Sequence, residues 1–396
     1  MDKDDRFGTE TLAPLRDQQV PPLDVSIERA MAIGRRRVGI RRAAAGAAVA
    51  AGVLAMGGAV FAVGHRPPSA SVPQPDVPPA QAPVQCRVSR LPAPKGADHA
   101  TATAVAPSGR FVGGATLGSE ETGENGAALL WDAGQLRTIE IEGRSATPLG
   151  VNDDGVVVGG VTRNHKLAAW VFRDGHAEIL PGLPGHDNMF ATGVNARGDI
   201  VGVAGGPGDV NKAVLWPAGE PGEIRTLPAP GSAGAMGISA DGVVVGYAND
   251  RPYVWSAAGA ARELPGGAEG TALGIAGDWV YGTSGPSADD GNFGSALKDA
   301  PHSGGRPARW SLSRNRLETL PGTHPAAITA SGAMVGLTAK PERNAVVFRD
   351  RPPANLPPLS DRPVPSVVNA ASVDGRTVAG EQPGERDTIP LLWRCS

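Results

Sequence analysis

The segment "GVNDDGVVVGG" (150–160) returns as "AVAPSGRFVGG" (104–114), "GVNARGDIVGV" (193–203), "GISADGVVVGY" (237–247), "GIAGDWVYGT" (274–283), "AITASGAMVGL" (327–337) and "AASVDGRTVAG" (370–380). The turn glycines Gly109, Gly155, Gly198, Gly242, Gly277, Gly332 and Gly375 are spaced about 44 residues apart. A period of that size restricts the chain to stacked or circular arrays of one small supersecondary unit.

Each unit reads as four strands. A glycine between two apolar runs supplies the positive-φ residue of a tight hairpin. A second glycine four residues on (Gly113, Gly159, Gly202, Gly246, Gly336) is expected where adjacent units or a bend exclude a side chain. The third strand carries Trp131, Trp170, Trp216, Trp255, Trp310 or Trp393, with Phe348 in the sixth unit. These rings are expected to fill the gaps between units. The fourth strand ends in Leu-Pro at Leu180, Leu227, Leu264, Leu320 and Leu356, where proline stops the strand and removes a ladder donor. Unit one has Ile139 and Ile141 there and no such dipeptide. Seven such units imply an all-β, seven-bladed β-propeller. An open solenoid would need polar caps at both ends, and none is visible.

The seventh unit stops after its third strand, at "LLWRCS", and the missing fourth strand stands at the other end of the region as "CRVSRLP" (86–92). Aligning Leu91 with Leu180 puts Cys86 at the position of Gly175. Aligning Trp393 with Trp170 puts Cys395 at the position of Phe172. The ring therefore closes with a borrowed strand, and a Cys86–Cys395 disulfide is expected across the cut. Such a crosslink needs an oxidising compartment.

Three segments precede the repeats. Residues 1–42 form a polar tail, read as mostly disordered, that ends in "GRRRVGIRR". Residues 43–64 carry no charge and are long enough for one transmembrane helix. Arginines on the N-terminal side alone place the tail in the cytoplasm and the repeats, 86–396, outside the cell. A cleaved signal peptide with a long basic region is the rival reading. Residues 65–85 hold many prolines and are expected to form an extended linker.

The repeat element, followed by a strand such as "AVLW", resembles the HAF family of extracellular repeats across residues 101–395. "NKAVLW" (211–216) and "GAALLW" (126–131) stand where that family carries His-Ala-Phe. The resemblance implies a secreted or surface propeller-like domain and assigns no activity.

The formal net charge of -3 supplies no basic field for nucleic acid. Two cysteines without a CxxC spacing, and histidines without HExxH spacing, give no metal site. No cofactor motif and no catalytic constellation stands out. The outward-facing loops are the expected contact surface. Two are long: 115–127, with Glu120, Glu121 and Glu124, and 284–305, with Asp289, Asp290, Asn292, Phe293 and His302. Neither has EF-hand spacing. The sequence thus points to a single-pass membrane protein whose extracellular propeller binds a protein or cell-envelope polymer. The alternatives are an extracytoplasmic enzyme with a loop-built site at the channel mouth, and a relay of outside binding to the cytoplasmic tail.

Overall fold

The computed structural model describes residues 85–116, 118, 126–206, 210–267, 269–285, 305–322, 324–338, 345–348, 353–359, 365–384 and 387–396. The expected tail, span and most of the linker lie outside them. Among the described residues no helix is long and apolar enough to cross a membrane.

The described chain folds as seven four-stranded antiparallel sheets. Blade one is β2 (Ala100–Val105), β3 (Phe111–Thr116), β4 (Ala128–Asp132) and β5 (Gln135–Ile139). Blade two is β6 (Arg144–Val151), β7 (Val157–Arg163), β8 (Lys166–Arg173) and β9 (His176–Ile179). Blade three is β10 (Asn188–Val194), β11 (Ile200–Gly205), β12 (Asn211–Trp216) and β13 (Arg225–Thr226). Blade four is β14 (Ala233–Ile238), β15 (Val244–Ala248), β16 (Arg251–Trp255) and β17 (Ala261–Glu263). Blade five is β18 (Gly270–Ala276), β19 (Trp279–Ser284), β20 (Arg306–Ser311) and β21 (Arg316–Thr319). Blade six is β22 (His324–Ile328), β23 (Met334–Leu337), β24 (Ala345–Phe348) and β25 (Ala354–Asn355). Blade seven is β26 (Val367–Ala371), β27 (Thr377–Pro383), β28 (Thr388–Cys395) and, on its outer edge, β1 (Cys86–Arg90).

Closure is thus made by the first strand of the domain on the last. Cys86 lies opposite Cys395 and Arg90 opposite Leu391. The two cysteines form a disulfide with an S–S distance of 2.05 Å. The other blades show what it replaces. The outer hairpin of blade one turns through Ala133 (φ 48°) and Gly134 (φ 91°), and that of blade two through Asp174 (φ 51°) and Gly175 (φ 84°). Two consecutive positive φ values define a type I′ turn. Register puts Cys395 at the place of Ala133 and Asp174, and Cys86 at the place of Gly134 and Gly175. The sulfur bridge stands where the two central residues of a turn would be.

This corrects one sequence alignment. Gly114, Gly202, Gly246, Gly282 and Gly380 pair with Leu129, Val214, Tyr253, Ala308 and Leu391, each two residues before a tryptophan. Gly159 pairs with Trp170 itself. Phe172, not Trp170, therefore occupies the recurrent aromatic position of blade two, and Cys395 matches Asp174 rather than Phe172.

The tryptophans do pack between blades, as expected. Trp131, Trp170, Trp255, Trp310 and Trp393 are all fully buried. Their indoles explain the Leu-Pro dipeptides further than strand termination does. Trp131 Nε1 donates to Pro92 O of the preceding blade at 2.8 Å, Trp216 to Pro181 at 2.9 Å, and Trp255 to Pro228 at 2.7 Å. Trp310 donates to Pro265 at 2.9 Å and Trp393 to Pro357 at 2.8 Å. The two remaining junctions, one to two and five to six, have Phe172 and Phe348 at this position. Phenylalanine has no N–H. Trp170 Nε1, displaced from the recurrent position, is buried without a partner among the described residues.

The second glycine works within a blade rather than between blades. A methyl group on Gly159, Gly202, Gly246, Gly282, Gly336 or Gly380 would overlap a carbonyl oxygen of the inner strand beside it. In blade one this position is Gly114, which meets Thr101 O, because its turn is a residue longer; Gly113 instead faces Pro148.

Candidate functional site

The inner strands β2, β6, β10, β14, β18, β22 and β26 surround a central channel of about 790 Å³. Each carries an extra residue against its neighbour at an equivalent point, Thr103, Leu149, Thr192, Met236, Leu273, Ala326 and Asn369, and β6 has a second irregularity between Arg144 and Thr147. All seven line the channel. A bulge leaves ladder groups unpaired, and the polar members answer this across the blade junction. Thr103 Oγ1 donates to Pro148 O at 2.6 Å, Thr192 Oγ1 to Ala235 O at 2.8 Å, and Asn369 Nδ2 to Ala102 O at 3.0 Å. Past the bulge, the backbones of blades two to five come close. A Cβ on Gly150 would lie 3.0 Å from Gly193 Cα, and one on Gly237 would lie 2.9 Å from Gly274 Cα.

The channel has two unlike ends. Ser145, Thr147, Asn188, Asn211 and Tyr247 lie toward the face that carries the blade-to-blade connections. Val151, Val194, Ile238, Ile275 and Ile328 lie toward the face of the hairpin turns, which also carries the disulfide. Asn211 Nδ2 donates to Tyr247 Oη at 2.9 Å, and burial pushes the Tyr247 phenol upward. Burial alone raises the Tyr281 phenol, also in the wall. Both are neutral at physiological pH. Among the described lining residues there is no carboxylate, histidine, lysine, arginine or cysteine.

Outside the channel lining lie one buried ionisable group, His324, and one half-buried one, Glu381. Burial lowers His324 to about 4, so it is a neutral imidazole at pH 7. Burial raises the Glu381 carboxyl, while a hydrogen bond from Thr101 works in the opposite direction. Thr101 Oγ1 in turn lies 3.3 Å from Asn369 Nδ2.

The turn face is fixed by short-range bonds. Asn152 Oδ1 accepts from the Val156 amide at 3.0 Å, and Ser239 Oγ from the Val243 amide at 2.9 Å. Asp374 is held below the usual carboxylate range despite partial burial, by the Ser372 hydroxyl and the Arg376 amide. The Asp374 carboxylate is thus engaged in holding its own turn together. No group of three or more His, Cys, Asp and Glu side chains able to hold a metal ion occurs among the described residues.

Glu120, Glu121, Glu124, Asp289, Asp290, Asn292 and Phe293 all lie outside the described residues. The described strand ends on either side of them, the end of β3 and start of β4 in blade one and the end of β19 and start of β20 in blade five, are on the connection face. The bulge residues of the channel wall lie one place before most of the repeat segments begin, outside the pattern the sequence repeats. Their signal was the residue five places before most turn glycines, which is glycine or alanine at Gly150, Gly193, Gly237, Ala104, Ala327 and Ala370.

Fold and channel together define a disulfide-closed seven-bladed β-propeller whose described channel lining is uncharged. No protein-family model matches the chain, and no curated protein matches it. Among solved structures it is similar to the β-propeller domain of the Trilobed protease from Pyrococcus furiosus, described as having an open velcro topology. That likeness has 11% identity, covers 74% of this chain and 92% of that one, and has a TM-score of 0.51. It is also similar to a Mycobacterium tuberculosis puromycin-hydrolyzing peptidase, at 17% identity over 78% of this chain and 54% of that chain, with a TM-score of 0.47. The match spans about half of the peptidase's own length. TolB from Acinetobacter baumannii matches at 13% identity over 75% of this chain and 57% of that one, with a TM-score of 0.36. At these identities the likeness shows the fold alone.

Proposed function

We propose that this protein is a membrane-anchored, extracytoplasmic propeller that binds a protein or cell-envelope polymer through its connection face. The observation that carries the binding reading is the channel wall. Hydrolysis needs positioned acids, bases or nucleophiles, whereas the described wall offers neutral donors and acceptors above an apolar floor. The enzymatic alternative would draw its charged groups from the loops 117–125 and 286–304.

Three further features support the location. The uncharged stretch 43–64 follows a block of arginines. The disulfide requires an oxidising compartment. The resemblance of the repeats to HAF-type extracellular repeats agrees with both.

The test is site-specific photocrosslinking on intact cells expressing the full chain. A photoreactive residue replacing His186, on the connection face, should yield a discrete adduct, and one replacing Ala257, on the turn face, should not. Adducts from Ala257 alone, or a full chain released from membranes by alkaline carbonate, would overturn the binding face or the anchor respectively.

A further inference from the structure

Two residues beyond its bulge, every inner strand places one more residue in the channel wall. At that level stand Val105, Val151, Val194, Ile238, Ile275 and Ile328, with Ala371 completing the circle. Six β-branched hydrocarbon side chains at one height make an apolar ring. The strands that carry it, and the hairpins that follow them, lie wholly within the described residues. Water inside such a ring finds few partners, and an aliphatic chain displaces it favourably.

Toward the connection face the same wall changes character. Ser145, Thr147, Asn188 and Asn211 bring hydroxyls and amides to the lining. Tyr247 Oη accepts from Asn211 Nδ2 at 2.9 Å and keeps its own proton to give. Tyr247 stands on the second strand of its blade and reaches the channel because Gly234 lies opposite it. A Cβ on Gly234 would fall 2.5 Å from the Tyr247 ring. Tyr281 lies over Gly274 in blade five in the same way. Each of these polar groups is neutral, and each both donates and accepts.

We propose that the channel binds an uncharged amphiphile, with its hydrogen-bonding head among Asn188, Asn211 and Tyr247 and its aliphatic tail in the valine–isoleucine ring. The run from Asn188 to Val194 along β10 spans about 20 Å, enough for a sugar-sized head and a medium alkyl chain. The channel volume of about 790 Å³ falls within the roughly 300–1,000 Å³ of sites that enclose small ligands. A carboxylate or ammonium head would exchange its hydration for neutral dipoles, with hydrocarbon beneath them. The site lies inside the channel and does not rest on the macromolecular partner proposed above.

The test is photoaffinity labelling of the full chain in its own membranes with octyl glucoside carrying a diazirine at the end of the tail. Labelled residues are mapped by peptide mass spectrometry. The tail probe should mark the ring, on peptides that contain Ile238 and Ile275. With the diazirine moved to the sugar, the label should shift to β10 and β12 near Asn188 and Asn211. Excess unlabelled octyl glucoside should suppress ring labelling at least about tenfold more than octanoate or octylammonium at the same concentration. Ala371→Trp, which fills the one gap in the ring, should abolish ring labelling. Tyr247→Phe, which keeps the shape of the wall, should weaken competition by octyl glucoside about fivefold. Labelling confined to surfaces outside the channel would overturn the proposal. So would equal competition by neutral and charged heads, a result that needs no variant to fold.

Discussion

The indole nitrogen of Trp216 donates to the carbonyl oxygen of Pro181, 2.9 Å away in the preceding blade. Leu180 and Pro181 thus finish one blade and hold the next. The bond uses the proline's carbonyl and not its ring, so Pro181→Ala should be tolerated. Trp216→Phe should cost about 1 kcal/mol for the lost bond, and more through repacking. Trp170→Phe should cost less in hydrogen bonding, since its Nε1 has no partner among the described residues. Urea denaturation of the three variants orders them.

Removing the crosslink with Cys86→Ser and Cys395→Ser frees a loop with a sequence separation of 309. The chain-entropy estimate for such a loop is on the order of 5 kcal/mol. The crosslink sits at the two central positions of a type I′ turn, so a peptide can replace it. A circular permutant joining residue 395 to residue 86 as Asp-Gly, and opened between Ala133 and Gly134, should fold without any disulfide. Reducing agent should leave its melting temperature unchanged while lowering that of the parent.

Gly246 and Gly219 separate steric need from mere occurrence. A methyl group at Gly246 would overlap Gly234 O, whereas nothing lies within 4 Å of one at Gly219. Gly246→Ala should lose about 2 kcal/mol or more, and Gly219→Ala should be neutral or slightly stabilising. Thermal melts distinguish them.

Acid should weaken the domain through His324. Its folded pKa is depressed to about 4 from 6.5, so between those values the unfolded chain takes up a proton that the native state refuses. Stability from this group is full above the ordinary histidine range and falls toward pH 4, by on the order of 3 kcal/mol. His324→Gln should flatten that slope in denaturation measured from pH 7 to 4. Glu381 acts in the opposite sense. Its raised pKa means that ionisation costs stability above its folded value, and the cost is relieved as pH falls toward the ordinary carboxylate range. Glu381→Gln should therefore stabilise at pH 7, with the gain vanishing on acidification.

The ring and its closure were readable from the repeats because the turn glycines and the Leu-Pro ends recur at a regular spacing, and an orphan strand has only one place to go. What misled was chemical likeness. Trp170 matches the recurrent tryptophan by type, and only strand pairing shows Phe172 at that position. Gly113 and Gly114 are adjacent, and a turn one residue longer shifts the steric requirement from one to the other. The channel wall was hidden because its residues, from Thr103 to Asn369, differ chemically from blade to blade. They share a backbone bulge, which composition does not display.

The position of the sulfur bridge also determines how the domain bears load. Pulling on Gln85 would ordinarily unzip an edge strand one pair at a time, beginning at its free end. Here that first pair is covalent, so the pull passes into β28, an interior strand of its sheet. A tether attached at this point can be tugged without peeling the ring apart.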